Sequence, residues 1–159
     1  MTAGPGHALA VGFEGTRVPD DVVALAERAG LGGVVLFARN CQSLDAVLAL
    51  TAAARGLGPD VLVLVDHEGG RVHRLPLPFT HFPSPATVGR SRDPGLAAAV
   101  ARAMARELRA AGFDSGLAPV LDCLLDPGCT VIGDRAFGTA PDAVAAGGVA
   151  FVEAMLSEG

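Results

Sequence analysis

Residues 61–75, VLVLVDHEGGRVHRL, carry most of the side chains in this sequence that could do chemistry. Five apolar residues run straight into Asp66, His67 and Glu68, followed by Gly69 and Gly70 and then by Arg71 and Arg74. This is the chemistry of polar-ligand recognition. Carboxylates accept hydroxyl hydrogen bonds, guanidinium groups fork onto oxygen, and glycines admit close backbone approach or positive φ. Asp66 has a plainer alternative as a turn or helix cap, and spacing alone leaves open which of Arg71 and Arg74 pairs with Glu68 and which reaches a ligand.

His67, His73 and His81 lie near these acids and raise a metal reading. Their spacing matches no HExxH or comparable ligand pattern, and loop histidines are ordinarily solvated or hydrogen-bonded, so neither a metal site nor a cofactor is expected. A second loop, IGDRAFG at 132–138, holds Arg135, either as a pocket residue or as a solvated surface charge. Asp122 and Asp126 read as loop-fixing residues. Gly30, Gly32 and Gly33 precede a strand instead of following one, which does not support a dinucleotide fingerprint.

These side chains need elements to hold them. An apolar run rich in β-branched residues before Asp66 suits a strand buried on both faces, with a site-bearing βα loop at its C-terminal end. The same alternation recurs along the chain. Strands are expected over 7–13, 31–37, 61–65 and 115–121. A helix opens near Pro19 with Asp20 and Asp21 in its first turn and ends at Gly30. A second is capped by Ser43 and stopped by Gly56. The prolines of 75–92 (Pro76, Pro78, Pro83, Pro85) predict a stiff connection without a regular helix. Asp93 and Pro94 open a helix with Leu96, Val100, Ala103, Met104, Leu108 and Ala111 on its buried face. Pro141 opens the last, with Val144, Gly148, Val149, Val152, Met155 and Leu156 inward.

Four βα units in succession imply an α/β fold with a parallel sheet and right-handed crossovers. Parallel strands gather Glu14, Arg39, Asn40, Asp66 to Glu68 and Asp122 on one rim. Four units are about half of a TIM (β/α)8 barrel; an open four-stranded sheet is the alternative. The 159 residues suffice for one core, so a single domain over 1–159 with no second domain is expected.

Half the residues are hydrophobic and 18% are charged, which favours a folded chain. No apolar run approaches the roughly 20 residues that span a bilayer, and the N-terminus lacks a signal-peptide pattern. Three cysteines without zinc-ligand spacing read as free thiols in a reducing cytoplasm. A net charge of −5 with no basic run argues against nucleic acid. The absence of Trp and Tyr counts against an extended lectin groove.

VDHEGGRVHRL, FTHFPSPATVG, LAPVLD, IGDRAFG and GGVVLFARN together resemble the N-terminal part of the family 3 glycoside hydrolases, most closely the bacterial β-N-acetylhexosaminidases of peptidoglycan recycling. The resemblance covers essentially the whole chain and implies a (β/α)8 barrel, in agreement with the βα units read from the residues. It implies that Asp66, Arg74 and Arg135 bind a terminal N-acetylglucosamine. His67 stands where the closest relatives usually carry glutamine.

The family's Lys-His pair, histidine acid/base and aspartate nucleophile follow motifs that these 159 residues do not contain, so the resemblance assigns no catalytic residue here. Asp66 and Glu68 cannot take those roles merely by being acids, because retention needs two groups set about 5 Å apart across the glycosidic bond. The expectation is the substrate-binding half of a retaining, cytoplasmic β-N-acetylhexosaminidase acting on peptidoglycan-derived muropeptides, inactive on its own. The alternatives are a non-hydrolytic half-barrel that binds sugar or self-associates through its open edges, a β-glucosidase-like specificity, and a weaker metal-dependent hydrolase using His67 and Glu68.

Overall fold

A computed structural model describes residues 4–159. The first three residues of the N-terminal stretch therefore fall outside the described residues. The chain forms two compact units. The first comprises the residues up to Asp66 together with Arg74–Phe79 and Leu108–Gly116; the second comprises His67–His73, Thr80–Glu107 and Leu117–Gly159.

The first unit holds β1 (Ala10–Val11), α1 (Asp20–Ala29), β2 (Gly33–Leu36), α2 (Leu44–Arg55), β3 (Leu62–Val65) and β4 (Ser115–Gly116). All strand pairs are parallel and the sheet order is β1-β2-β3-β4. A consecutive order without reversal is that of a singly wound barrel sheet; a doubly wound sheet would reverse. Val34, Leu36, Val63 and Val65 are fully buried, as the β-branched runs require. α2 packs on β3 and buries Val47, Leu50 and Ala54.

Local chemistry sets the helix ends. The Ser43 hydroxyl accepts from the Ala46 amide at 3.1 Å, as expected of an N-cap. Gly30, at φ +77°, ends α1. Gly112, at φ +87°, follows α4, and a Cβ there would lie 2.6 Å from the Thr51 hydroxyl oxygen, which itself donates to the Ala111 carbonyl.

All four strands are shorter than the sequence suggested, β1 and β4 most of all. Pro5 opens a 3-10 turn over Pro5–Ala8, so His7 and Ala8 belong to a turn and β1 begins at Ala10. β4 stops at Gly116; Pro119, three residues on, has no N–H to give a ladder.

The second unit holds α3 (Pro85–Arg90), α5 (Pro141–Ser157) and all but the last turn of α4 (Pro94–Ala110). The short helix α3 corrects the helix-free reading of 75–92. Ser84 caps it and Pro85 occupies the first turn, where a missing N–H costs nothing. The Asp93 carboxylate accepts from the Gly95 amide at 2.8 Å at the start of α4, as expected of a capping residue.

The buried faces of both long helices keep part of the expected set, Met104 and Leu108 on α4 and Val144 and Gly148 on α5, and shift at the rest. α4 buries Ala97, Ala101, Met104, Ala105 and Leu108, while Leu96 and Ala103 are exposed. α5 buries Val144, Gly148, Phe151 and Ala154 and leaves Val149, Val152 and Leu156 outside. Phe151 sets that face by meeting Phe137 edge-on at 6.3 Å, because an aromatic ring buries more area than the valines it displaces. No helix among the described residues is long and apolar enough to cross a membrane.

Candidate functional site

β3 delivers Asp66 one residue beyond its last paired position, Val65. Arg74 returns to it within the same unit, and its Nη2 donates to the Asp66 carboxylate at 3.0 Å. Both side chains are about a quarter exposed, 26% for Asp66 and 29% for Arg74, so the pair is solvent-reachable and its charges are balanced. A carboxylate held this way keeps lone pairs for hydroxyl donors, and the guanidinium beside it fixes its attitude. Asp66 is thus an ion-pair member more than a backbone cap.

In the first unit the rim residues Arg39 and Asn40 have partners within the fold. Arg39 pairs with Glu14 at 3.0 Å. Asn40, fully buried, accepts from the Phe37 amide at 2.9 Å and donates to the Phe13 and Gly15 carbonyls at 3.1 and 2.6 Å. Its amide ties the ends of β1 and β2 together, a role a polar residue after a strand does not reveal.

In the second unit, the Glu68 partner left open within 61–75 turns out to be Arg135. Its Nη2 and Nε donate to the two carboxylate oxygens at 2.7 and 2.8 Å, and the Glu68 side chain is only 1% exposed. Burial without such a fork would be prohibitive. Arg135 is therefore not a solvated surface charge. Arg71 takes Asp134 at 2.7 Å and the carbonyls of Thr130, Val131 and Ile132 at 2.9, 2.6 and 3.1 Å. These pairings join residues about sixty apart, which spacing cannot show.

Gly69 and Gly70 do what the motif requires. They stand at φ +92° and +56°, and a Cβ on either would come within 2.6 Å of the 83–84 segment. The fold that follows buries His67, which excludes the solvated half of the expectation: its ring is 4.6 Å from that of His73, and His73 is 4.4 Å from His81. Among the described residues no group of three or more His, Cys, Asp or Glu side chains could hold a metal ion. Asp126 fixes its loop as expected, accepting from the Gly128 amide at 2.8 Å.

Two cavities of about 610 and 630 Å³ lie among residues 88–147 of the second unit and 14–20 of the first, and none of Asp66, Glu68, Arg74 and Arg135 lines either.

Comparison with known proteins gives a consistent family. The profile described as "Glycosyl hydrolase family 3 N terminal domain" matches residues 9–159. A beta-hexosaminidase of Methylococcus capsulatus is 48% identical over 132 residues, covering 80% of this chain and 39% of that protein. One from Alkalilimnicola ehrlichii is 44% identical over 152 residues, covering 91% of this chain and 42% of its own. Among solved structures, NagZ from Neisseria gonorrhoeae in complex with N-trifluoroacetyl-D-glucosamine superposes with a TM-score of 0.86 at 34% identity, over 95% of this chain and 47% of that one. A family 3 beta-N-acetylglucosaminidase from Paenibacillus gives 0.90 at 32% identity, over 96% and 30%. The chain spans about two-fifths of the length of the curated relatives it matches. Its parallel βα repeats are of the (β/α)8-barrel type expected from the sequence.

Proposed function

The chain belongs to glycosyl hydrolase family 3, and from that premise we propose that it is the N-terminal, substrate-binding part of a retaining β-N-acetylhexosaminidase. The observation that carries the reading is the Asp66–Arg74 pair at the C-terminal end of β3, where a barrel presents its site. Asp66 accepts hydrogen bonds from sugar hydroxyls, Arg74 balances its charge and adds a donor, and Arg135 contributes a further guanidinium to the substrate. The relative solved with N-trifluoroacetyl-D-glucosamine supports an N-acylated glucosamine as the terminal sugar. Peptidoglycan-derived muropeptides in the cytoplasm are the natural source of such ends.

Of the two site carboxylates, Asp66 holds the substrate, Glu68 holds Arg135, and neither cuts the glycosidic bond. Glu68 is buried and committed to Arg135 through both oxygens, and Asp66 is committed to Arg74. The acid/base and the nucleophile of retention come from outside these 159 residues.

The test is release of p-nitrophenol from p-nitrophenyl N-acetyl-β-D-glucosaminide by the protein encoded in the reading frame that holds this chain. Turnover of that glycoside, with Asp66→Ala lowering kcat/KM by at least about a hundredfold in a folded protein, is expected. Turnover of the β-glucoside or β-xyloside alone would overturn the sugar assignment. Binding without turnover would favour the second reading, a non-hydrolytic sugar-binding or assembly module, for which the exposed Val149, Val152 and Leu156 of α5 speak.

A further inference from the structure

We propose that Arg71 is a positioning residue that holds Arg135 in its substrate-binding attitude by stapling the 130–134 turn. The inference rests on the reading of Arg135 as a sugar contact. Arg71 is about half exposed and packs no core, yet its guanidinium makes four polar contacts to one short segment. Nη2 alone lies within 3.1 Å of the carbonyl oxygens of Thr130, Val131 and Ile132. Three successive carbonyl oxygens converging on one point repel one another unless a cation sits among them. Nε meanwhile anchors Asp134, so the fork spans the turn from both sides.

The link to Arg135 runs through Val131. Its carbonyl accepts from Arg71 at 2.6 Å and also from Arg135 Nη1 at 3.2 Å, while Glu68 holds the Nε and Nη2 edge of the same Arg135 guanidinium. Arg135 is thereby fixed on two edges, one by a buried carboxylate and one by a carbonyl whose place Arg71 sets. The Arg135 amide also bonds to the Ile132 carbonyl at 2.9 Å, so backbone and side chain both depend on the turn. An exposed Arg71–Asp134 pair adds little stability by itself. Its consequence is geometric. Lysine, a point charge on a flexible stem, cannot reach Asp134 and three carbonyls together.

The experiment is steady-state hydrolysis of p-nitrophenyl N-acetyl-β-D-glucosaminide by the protein encoded in the reading frame that holds this chain, for wild type, Arg71→Ala, Arg71→Lys, Arg135→Ala and the Arg71→Ala/Arg135→Ala double variant. Arg71→Ala is expected to raise KM about tenfold with kcat within about twofold, and less than about twofold further in the Arg135→Ala background, because residues acting through one another are not additive. Arg71→Lys, which covers a failure of the alanine variant to fold, is expected to raise KM about threefold. An unchanged KM in either folded variant, or the same rise with Arg135 already removed, overturns the proposal. An Arg135→Ala variant with an unchanged KM overturns the reading of Arg135, and the inference falls with it.

Discussion

The Glu68–Arg135 fork makes an asymmetric prediction about stability. Replacing Arg135 with methionine keeps the bulk and leaves a carboxylate only 1% exposed without its main cation, whereas replacing Glu68 with glutamine leaves a guanidinium that is 24% exposed. Stranding a buried charge costs about 3–5 kcal/mol, so Arg135→Met is expected to lose about 4 kcal/mol. Glu68→Gln keeps one acceptor oxygen and turns the other position into a donor facing a donor. The loss is one charge-assisted bond, partly made good by water and by the Val131 carbonyl, and amounts to about 2 kcal/mol. Adding Glu68→Leu to Arg135→Met removes the stranded charge, so the apolar pair should be more stable than Arg135→Met alone. With neither Trp nor Tyr in the chain, urea unfolding followed by far-UV circular dichroism is the direct assay. Glu68→Gln as damaging as Arg135→Met, or a double variant no better than the single, would refute the reasoning.

Asn40→Ala should cost about 1–3 kcal/mol, chiefly because it leaves the Phe37 amide without its acceptor, while the exposed Gly15 carbonyl can turn to water and the Phe13 carbonyl keeps Arg39. Asn40→Asp should cost at least as much, because a carboxylate oxygen would then face the Gly15 carbonyl; a milder aspartate, read by urea unfolding, would contradict the amide assignment. Burial pushes the Cys41 thiol up to about 11 from an ordinary 9.0. The fold disfavours its thiolate, so this contribution to stability is complete below pH 9 and is lost as pH rises through about 11. The urea midpoint of the wild type should therefore fall more steeply over that window than that of Cys41→Ala, and parallel curves would refute it.

The repeat of βα units was legible because each element carries its own punctuation: Ser43 caps, Gly30 stops, and valine-rich runs lead into polar loops. What was not legible followed from contacts made elsewhere. Periodicity placed Val149 and Val152 inward on α5, but the face was decided by Phe151 finding Phe137. Counting prolines hid α3, since only Pro85 bears on it and it sits where helices accept proline. At the site, Asp66 could be singled out from the strand that ends before it. The partner of Glu68, the carbonyls held by Arg71 and the burial of His67 depend on segments folding onto one another, and no local pattern encodes them.

The consecutive strand order also bears on how this part of the chain is made. β2 lies between β1 and β3 in the sheet, and its α1 and α2 connections lie between these strands in the sequence. Each strand of the first three thus meets its neighbour after one helix's worth of synthesis, which keeps loop closure short and lets the sheet grow outward from β1. β3 to β4 is the exception, with α3, α4 and the proline-rich stretch between them. The slow step of assembly should fall there, at the same interruption that carries Gly69, Gly70 and Arg71. The insertion that carries Arg74, a residue proposed to contact the sugar, should then also be the pause in vectorial folding.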